Sequence, residues 1–218
     1  MKKSARKRPT QPISAAPRSG SEASARPTTA PVAERTPDDP RFWLGFSQVS
    51  GIGAVRVRKL IAHFGSLAAA WTATRADLLE AGLDAATVDS VDRARKTLDL
   101  DAQVRELDAA GVAFIPSDDE RYPARLREIY AAPIGIYVRG EILPSDDLAI
   151  AVVGTRRISV YGRQATERLV REIAASGVTI VSGLAKGVDT CAHESALDAG
   201  GRTIAVLGCG VDVTYPPE

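Results

Sequence analysis

Two kinds of hydrophobic pattern divide the chain. Between residues 40 and 110, apolar side chains recur at helical spacing between short breaks, which is typical of small amphipathic helices. From residue 148 onward, continuous apolar runs alternate with segments of helical periodicity. Such runs are typical of parallel strands that are covered on both faces. The pattern therefore predicts a small all-α domain over residues 40–110, followed by an α/β domain over residues 148–218.

The second pattern also predicts the order of elements in the α/β domain. LAIAVVG, GVTIVSG and RTIAVLG are expected to be strands, separated by a helix at about residues 161–175 and a second helix in VDTCAHESALDAG. Strands joined in this way form a parallel sheet through right-handed crossovers. The first helix carries an apolar stripe formed by Tyr161, Ala165, Leu169 and Ile173.

A glycine hairpin marks the all-α domain. Gly51 and Gly53 flank Ile52, which we expect to enter the core while the backbone N–H groups point outward. This resembles a helix-hairpin-helix or SAM-like module, whose hairpin and following helix start can hold a phosphate. Arg56 and Lys59 follow in the first turns, so the hairpin is either a secondary DNA contact or only a packing unit.

The remaining segments are a tail and a connector. Residues 1–39 are basic and rich in Pro, Ala and Ser, so we expect them to be disordered. Their basic start either is solvated or touches phosphates. In the connector, residues 111–147, we expect short strands at Val112–Ile115 and Ile134–Val138, with one or two helical turns between Pro123 and Tyr130.

Composition limits the possible functions. The chain has 218 residues, 44% hydrophobic and 25% charged, and a net charge of +1, so any basic surface must be local. Cys191 and Cys209 are too few for a disulfide framework or a zinc site, so we interpret both as reduced core thiols of a cytoplasmic protein. We expect no transmembrane helix, secretory signal or metal.

Candidate chemistry lies where the predicted strands end. Ligands of open parallel sheets bind beyond the carboxyl ends of the strands, and glycine lets backbone N–H groups approach an anion there. Three glycine-containing loops, at 154–157, 182–187 and 208–210, occupy such positions. Arg156 and Lys186 would supply positive charge, and Thr155 and Ser182 hydroxyl donors. The predicted phosphate-binding site comprises Gly154, Thr155, Arg156, Arg157, Ser182, Gly183, Lys186 and Gly187.

Two common nucleotide sites do not fit these loops. The dinucleotide pattern G-x-G-x-x-G fails at Arg156 and Ser159, and the second loop lacks the Walker A spacing. Arginine also binds phosphate bidentately, which favours a polyanion backbone. Nearby, we interpret Asp189 and His193 as structural, with Asp189 capping its helix or holding the adjacent loop.

The segment VVGTRRISVYGRQATERLVREIAASGVTIVSGLAKGVDTCAHESALDAGGRTIAVLGCGVDVTYPPE resembles the DNA-processing protein A family (DprA, also called Smf). Its G-[ST]-R element corresponds to Gly154, Thr155 and Arg156, and its S-G-x-A-[RK]-G element to residues 182–187. The resemblance implies a Rossmann-like domain that binds single-stranded DNA and helps to load a RecA-type recombinase in natural transformation. It implies a homodimer at full length and no catalysis, and we expect no cofactor.

The family pattern continues beyond Glu218 with further strands and an F-P-x-R-N-R segment, so we expect a truncated sheet here. Two other functions stay open. A nucleotide-processing enzyme of the phosphoribohydrolase type would need a P-G-G-x-G-T-x-x-E loop, which these residues lack. Alternatively, the chain is a protein-interaction module that does not bind DNA.

Overall fold

The computed structural model of the chain describes residues 39–216. The predicted tail, apart from its last residue, lies outside them. Six helices come first in the described part: α1 (Pro40–Ser47), α2 (Ala54–Phe64), α3 (Leu67–Thr72), α4 (Arg75–Glu80), α5 (Ala85–Thr97) and α6 (Leu100–Ala109). A mixed region follows: β1 (Val112–Pro116), α7 (Ala124–Arg127), β2 (Gly135–Arg139) and a 3-10 helix at Pro144–Asp147. The last elements are β3 (Ala149–Ala151), α8 (Val160–Ala175), β4 (Thr179–Ser182), α9 (Val188–Asp198) and β5 (Thr203–Ala205).

The helices α1–α5 enclose an apolar core. Phe46 and Leu60 are completely buried in it, and the Phe46 ring meets the Trp71 ring edge to face with centroids 5.0 Å apart. The short helices begin where polar side chains satisfy free backbone N–H groups. Ser66 caps α3, and Thr74 caps α4 through a capping box. The predicted helical pattern is therefore confirmed.

The connector contains a β-hairpin. Strands β1 and β2 pair in antiparallel register, with Phe114 opposite Tyr137, and their rings pack edge to face. Between them, α7 is a single turn, and the fully buried Tyr122 donates a hydrogen bond to the carbonyl of Pro133 at 2.8 Å. Both strands and the helical turn agree with the sequence expectations.

The parallel sheet has the order β3-β4-β5, with Ile150 opposite Ile180 and Ile180 opposite Thr203. Ile180 is completely buried against apolar residues of both α8 and α9. The fold class is thus α/β, a Rossmann-like parallel sheet preceded by helices. None of the helices within residues 39–216 combines the length and apolarity that crossing a lipid bilayer requires.

The expected apolar stripe of α8 is wrong at two of its positions. Tyr161 is 80% exposed and Leu169 is 57% exposed, whereas the buried side chains of the helix are Val170 and Ala174. Consecutive residues of a helix are rotated by about 100°, so the buried face lies one position beyond the predicted stripe. Ala174 on this buried face packs closely against Gly201. A Cβ atom added at Gly201 would lie only 2.7 Å from the Cβ atom of Ala174, so both positions need small residues.

The prediction that β3 is covered on both faces is also wrong for the described residues. Strands that lie side by side in chain order place their right-handed connections on the same face of the sheet. Both α8 and α9 therefore cover the face that carries Ile180. On the opposite face, Val153 is 75% exposed and Val206 is 61% exposed, just beyond the ends of β3 and β5.

Candidate nucleic-acid interface

The two loops that follow β3 and β4 lie in direct contact. Gly187 has a φ of +91°, and a Cβ atom added there would lie 2.8 Å from the Cα atom of Arg156. It would lie closer still to the carbonyl oxygen of Thr155. The backbone N–H of Val188 also donates a hydrogen bond to that oxygen at 3.1 Å. The structure thus brings together the two loops that the sequence predicted as one site.

Gly154 fits the first loop onto the start of α9. A Cβ atom at this position would lie 2.6 Å from a methyl carbon of Val188, so a larger residue would push the loop away from the helix. The Thr155 hydroxyl accepts a hydrogen bond from the backbone N–H of Arg157 at 3.1 Å. These contacts fix the backbone of the first loop on both sides of Arg156.

Hydrogen bonds from the first turn of α9 hold the second loop in place. The Asp189 carboxylate accepts hydrogen bonds from the backbone N–H groups of Gly183 at 3.2 Å and Ala185 at 3.4 Å. Between them, Leu184 has a φ of +59°, which costs a residue with a side chain about 1–2 kcal/mol. Thr190 adds two hydrogen bonds to the Ala185 carbonyl, from its backbone N–H and its hydroxyl. The interpretation of Asp189 as a residue that holds the loop is confirmed.

The conformation of Leu184 and the contacts of Thr190 were not foreseen from the sequence. Leucine carries no signal for a positive φ, because few residues other than glycine, asparagine and aspartate adopt it. Nothing in the local sequence marks the Thr190 hydroxyl as a loop contact. Only the fold shows that it faces the Ala185 carbonyl rather than solvent.

Two predicted anion donors are engaged within the protein. Ser182 is 3% exposed, and its hydroxyl donates a hydrogen bond to the Val152 carbonyl at 2.6 Å. The Gly183 N–H is bound to Asp189. Both residues stabilise the junction of β3, β4 and α9, so the expectation that they donate to a phosphate is corrected. The reason is that β4 is the central strand, whose end is enclosed by its neighbours.

The basic residues of the two loops face solvent. Arg156, Arg157 and Lys186 are all exposed. Within residues 39–216, neither arginine forms an ion pair with a carboxylate. Since consecutive Cα atoms are about 3.8 Å apart, the Cα atoms of Lys186 and Arg156 lie within roughly 8 Å of each other. Positive charge is therefore concentrated where the loops meet.

The cysteines and His193 differ in their surroundings. Cys191 is buried, and this burial raises the pKa of its thiol. Cys209 is exposed in the loop four residues beyond the end of β5, so its interpretation as a core thiol is wrong. His193 is buried, and its Nδ1 atom lies 2.7 Å from the Thr203 hydroxyl, which joins α9 to β5. This agrees with a structural role.

In the glycine hairpin of the helical part, the predicted arginine is engaged in contacts within the protein. Arg56 donates hydrogen bonds to the Gly51 carbonyl and to the Asp84 carboxylate, with which it forms an ion pair. Asp84 caps α5, so these contacts fasten the hairpin to that helix. Lys59 is exposed on α2, and the space beside Gly53 is open. For Arg56, the contacts favour the packing interpretation over the DNA contact.

The third glycine-containing loop borders other elements of the fold at its end. Its end, at Gly210–Asp212, lines a cavity of about 400 Å³ together with residues of α1, α6 and the β-hairpin. This cavity contains none of the predicted site residues. The candidate interface is instead an exposed surface formed by the first two loops, a shape that suits a long polyanion better than a small enclosed ligand.

Comparison with known proteins identifies relatives of the chain. The profile of the family described as "DNA recombination-mediator protein A" matches residues 113–218. Protein Smf of Synechocystis sp. is 36% identical over 182 residues, covering 81% of this chain and 46% of that protein. The DNA processing protein DprA of Streptococcus pneumoniae is 45% identical over 98 residues, covering 45% of this chain and 34% of that protein.

A solved structure is similar as well. The X-ray structure of DNA processing protein A from Streptococcus pneumoniae superposes with a TM-score of 0.65 at 28% identity, covering 83% of this chain and 62% of that one. The chain spans less than half the length of the two curated relatives named above.

Proposed function

Because the chain belongs to the DNA processing protein A family, also called Smf, we propose that it binds single-stranded DNA and acts as a recombination mediator. The observation that carries the proposal is the contact between the two loops at Gly187, which gathers Arg156, Arg157 and Lys186 on one exposed surface. Phosphates of a nucleic acid strand are the ligands that such a surface attracts.

The chemistry of the surface favours a strand backbone over a defined sequence. Arginine and lysine side chains contact phosphates, which are the same at every nucleotide. The Thr155 hydroxyl accepts from the Arg157 N–H at 3.1 Å and donates to the Arg157 carbonyl at 3.5 Å, so it shapes the loop that carries the arginines. Binding is therefore expected to be salt-dependent and to show little sequence preference.

Substitution of the loop cations tests this proposal. We expect Arg156→Ala, and likewise Lys186→Ala, to weaken binding of the full chain to oligo-dT. Each should flatten the dependence of log K on log salt concentration by about 0.7 per lost phosphate contact. Binding is measured by fluorescence anisotropy with labelled oligo-dT at several salt concentrations.

Arg93→Ala is the matched control, because it removes the same charge from an exposed position on α5. It should leave the affinity and the salt slope unchanged. If the Arg156→Ala/Lys186→Ala double variant binds oligo-dT as tightly as the wild type, the assigned surface is wrong.

The proposal extends to partners. The recombination step is loading of a RecA-type recombinase onto the bound strand, as in natural transformation, and the full-length protein acts as a homodimer. The support for this extension is the family membership. Loading is tested by following recombinase ATP hydrolysis on strands coated with single-stranded-DNA-binding protein, and the dimer by analytical ultracentrifugation of the full-length protein.

The proposed role is non-catalytic. The phosphoribohydrolase loop P-G-G-x-G-T-x-x-E does not occur in the 218 residues, and no observed contact favours that enzyme activity over binding. Incubation with nucleoside monophosphates should therefore release no free base. Release that depends on the loop residues would contradict this part of the proposal.

A further inference from the structure

An exposed aromatic ring stands directly beside the candidate interface. Tyr161 is in the first turn of α8, four residues after Arg157, and it is 80% exposed. Within residues 39–216, its hydroxyl has no hydrogen-bond partner and its ring stacks on no other aromatic ring. Packing of the described fold therefore does not account for a large ring at this position.

The backbone brings this turn close to the cationic loop. A Cβ atom at Gly162 would lie 3.3 Å from a side-chain carbon of Ile158, so the loop folds tightly back onto the helix start. The Ser159 hydroxyl caps the helix by accepting from the Gly162 N–H at 3.0 Å. Because Cα–Cβ bonds of a helix tilt toward its N-terminus, the Tyr161 side chain points toward the end of α8 where the loop joins the helix.

We propose that Tyr161 forms a nucleobase-stacking subsite, which receives the base of a nucleotide whose phosphate lies at the Arg156–Arg157 loop. This inference rests on the proposed function, to which it adds a contact with the bases. Cations bind only the backbone of a strand, whereas a neighbouring aromatic ring also gains from the flat face of each base. Every base has such a face, so the subsite accepts any of them, with the base unpaired.

The subsite predicts a ligand preference that phosphate contacts alone do not produce. A strand with bases should bind more tightly than an abasic strand of the same length and charge, and the difference should depend on Tyr161. A duplex should not gain from the ring, because its bases are already stacked on each other. The proposal thus explains how a cationic surface would select single strands.

The experiment compares variants of the full chain on labelled oligo-dT and on an abasic oligonucleotide of equal length. Tyr161→Ala should weaken oligo-dT binding by about 5- to 150-fold, the range that one stacked base provides. It should change abasic binding by less than about twofold and leave the salt slope intact. Tyr161→Phe should retain wild-type affinity, because stacking needs the ring and not the hydroxyl.

Two further variants separate stacking from other effects. Tyr161→Leu keeps an apolar side chain without an aromatic face, so it should behave as Tyr161→Ala does. Leu169→Ala removes a 57% exposed apolar side chain two turns farther along α8 and should bind like the wild type. Circular dichroism verifies that each variant is folded.

Two results would overturn the subsite. One is wild-type affinity of Tyr161→Ala for oligo-dT, and the other is an equal loss on oligo-dT and abasic strands. In both cases Arg156→Ala would still weaken binding and flatten the salt slope, so the proposed function would stand. If the wild type does not bind oligo-dT, or Arg156→Ala has no effect, the proposed function fails and the subsite fails with it.

Discussion

Single side chains near the interface either shape the loops or face solvent. Ser182 and Asp189 are buried, and their side chains form hydrogen bonds with backbone groups. Arg156 and Arg157, in contrast, are exposed. His193 is also buried, but its partner is a side chain, the Thr203 hydroxyl. The Thr203 hydroxyl donates to the Ile180 carbonyl at 2.9 Å, so it must accept its second hydrogen bond from the Nδ1–H of His193.

The burial of His193 makes stability depend on pH. Burial lowers the pKa of its imidazole, and the nearby negative charge of Asp189 opposes this only in part. Below the ordinary histidine pKa of about 6.5, the unfolded chain binds a proton more readily than the folded protein does. The free energy of unfolding should therefore fall as the pH decreases from 7.5 toward 5.5, as measured by chemical denaturation.

Substitution of His193 tests this prediction. His193→Gln should remove most of the pH dependence and cost about 1 kcal/mol through the altered hydrogen bond to Thr203. The wild type, measured in the same denaturant titrations at each pH, gives the reference slope. An unchanged slope in His193→Gln would show that another group titrates.

At the scale of elements, the connection between β4 and α9 decides the shape of the interface. Its backbone turns at Leu184 and Gly187, both with positive φ, and is pinned to Asp189 and Thr190. Gly187 in turn packs against the backbone of the first loop. One connection thus sets the position of both loops, and a change at this contact should affect stability and binding together.

Alanine substitution at Gly187 tests that statement. The positive φ alone should cost about 1–2 kcal/mol, and the collision with the Thr155 carbonyl should add to it. Gly177→Ala is the matched control, since Gly177 has a φ of +86° but open space where the Cβ atom would go. Gly187→Ala should unfold at lower denaturant concentration than Gly177→Ala and bind oligo-dT more weakly. Equal stability and affinity of the two variants would contradict the contact.

On the scale of the whole molecule, an ion pair ties the segment after the β-hairpin to the parallel sheet. Arg202 donates two hydrogen bonds to the Asp146 carboxylate, at 2.6 and 2.8 Å, and a third to the Glu141 carbonyl. The carboxylate also accepts from the Thr179 hydroxyl and the Leu143 N–H, both at 2.8 Å. These groups lie at the amino ends of the strands, opposite the interface, so they serve stability.

We expect Asp146→Ala to destabilise the protein by about 2–3 kcal/mol, because it leaves the buried Thr179 hydroxyl and the partly buried Arg202 guanidinium without their acceptor. The hydrogen bonds from Arg202 lower the pKa of Asp146. Its stabilisation is complete above the ordinary aspartate pKa of about 3.9 and is lost as the pH falls below it. The variant should therefore lose less stability than the wild type between pH 5 and 3, as denaturant titration would show. Asp147→Ala changes the exposed neighbouring carboxylate and should have the same free energy of unfolding as the wild type.

The sequence by itself determined the order and type of the elements in residues 39–216. Helical spacing, continuous apolar runs and glycine at the loops are local signals, and they predicted the parallel strands and the two loops that meet. The motif residues Gly154, Thr155 and Arg156 also identified the family before any geometry was known.

Only the tertiary structure decided which side chains are free to bind. In the sequence, Ser182 and Arg156 look equally suited to binding a phosphate. In the structure, the Ser182 hydroxyl donates to a carbonyl beside the neighbouring strand, whereas the Arg156 side chain faces solvent. Likewise, Tyr161 continues an apolar stripe in the sequence but lies off the face that meets the sheet. The physical reason is that hydrogen-bond partners and buried faces depend on residues distant in the chain, which local periodicity does not specify.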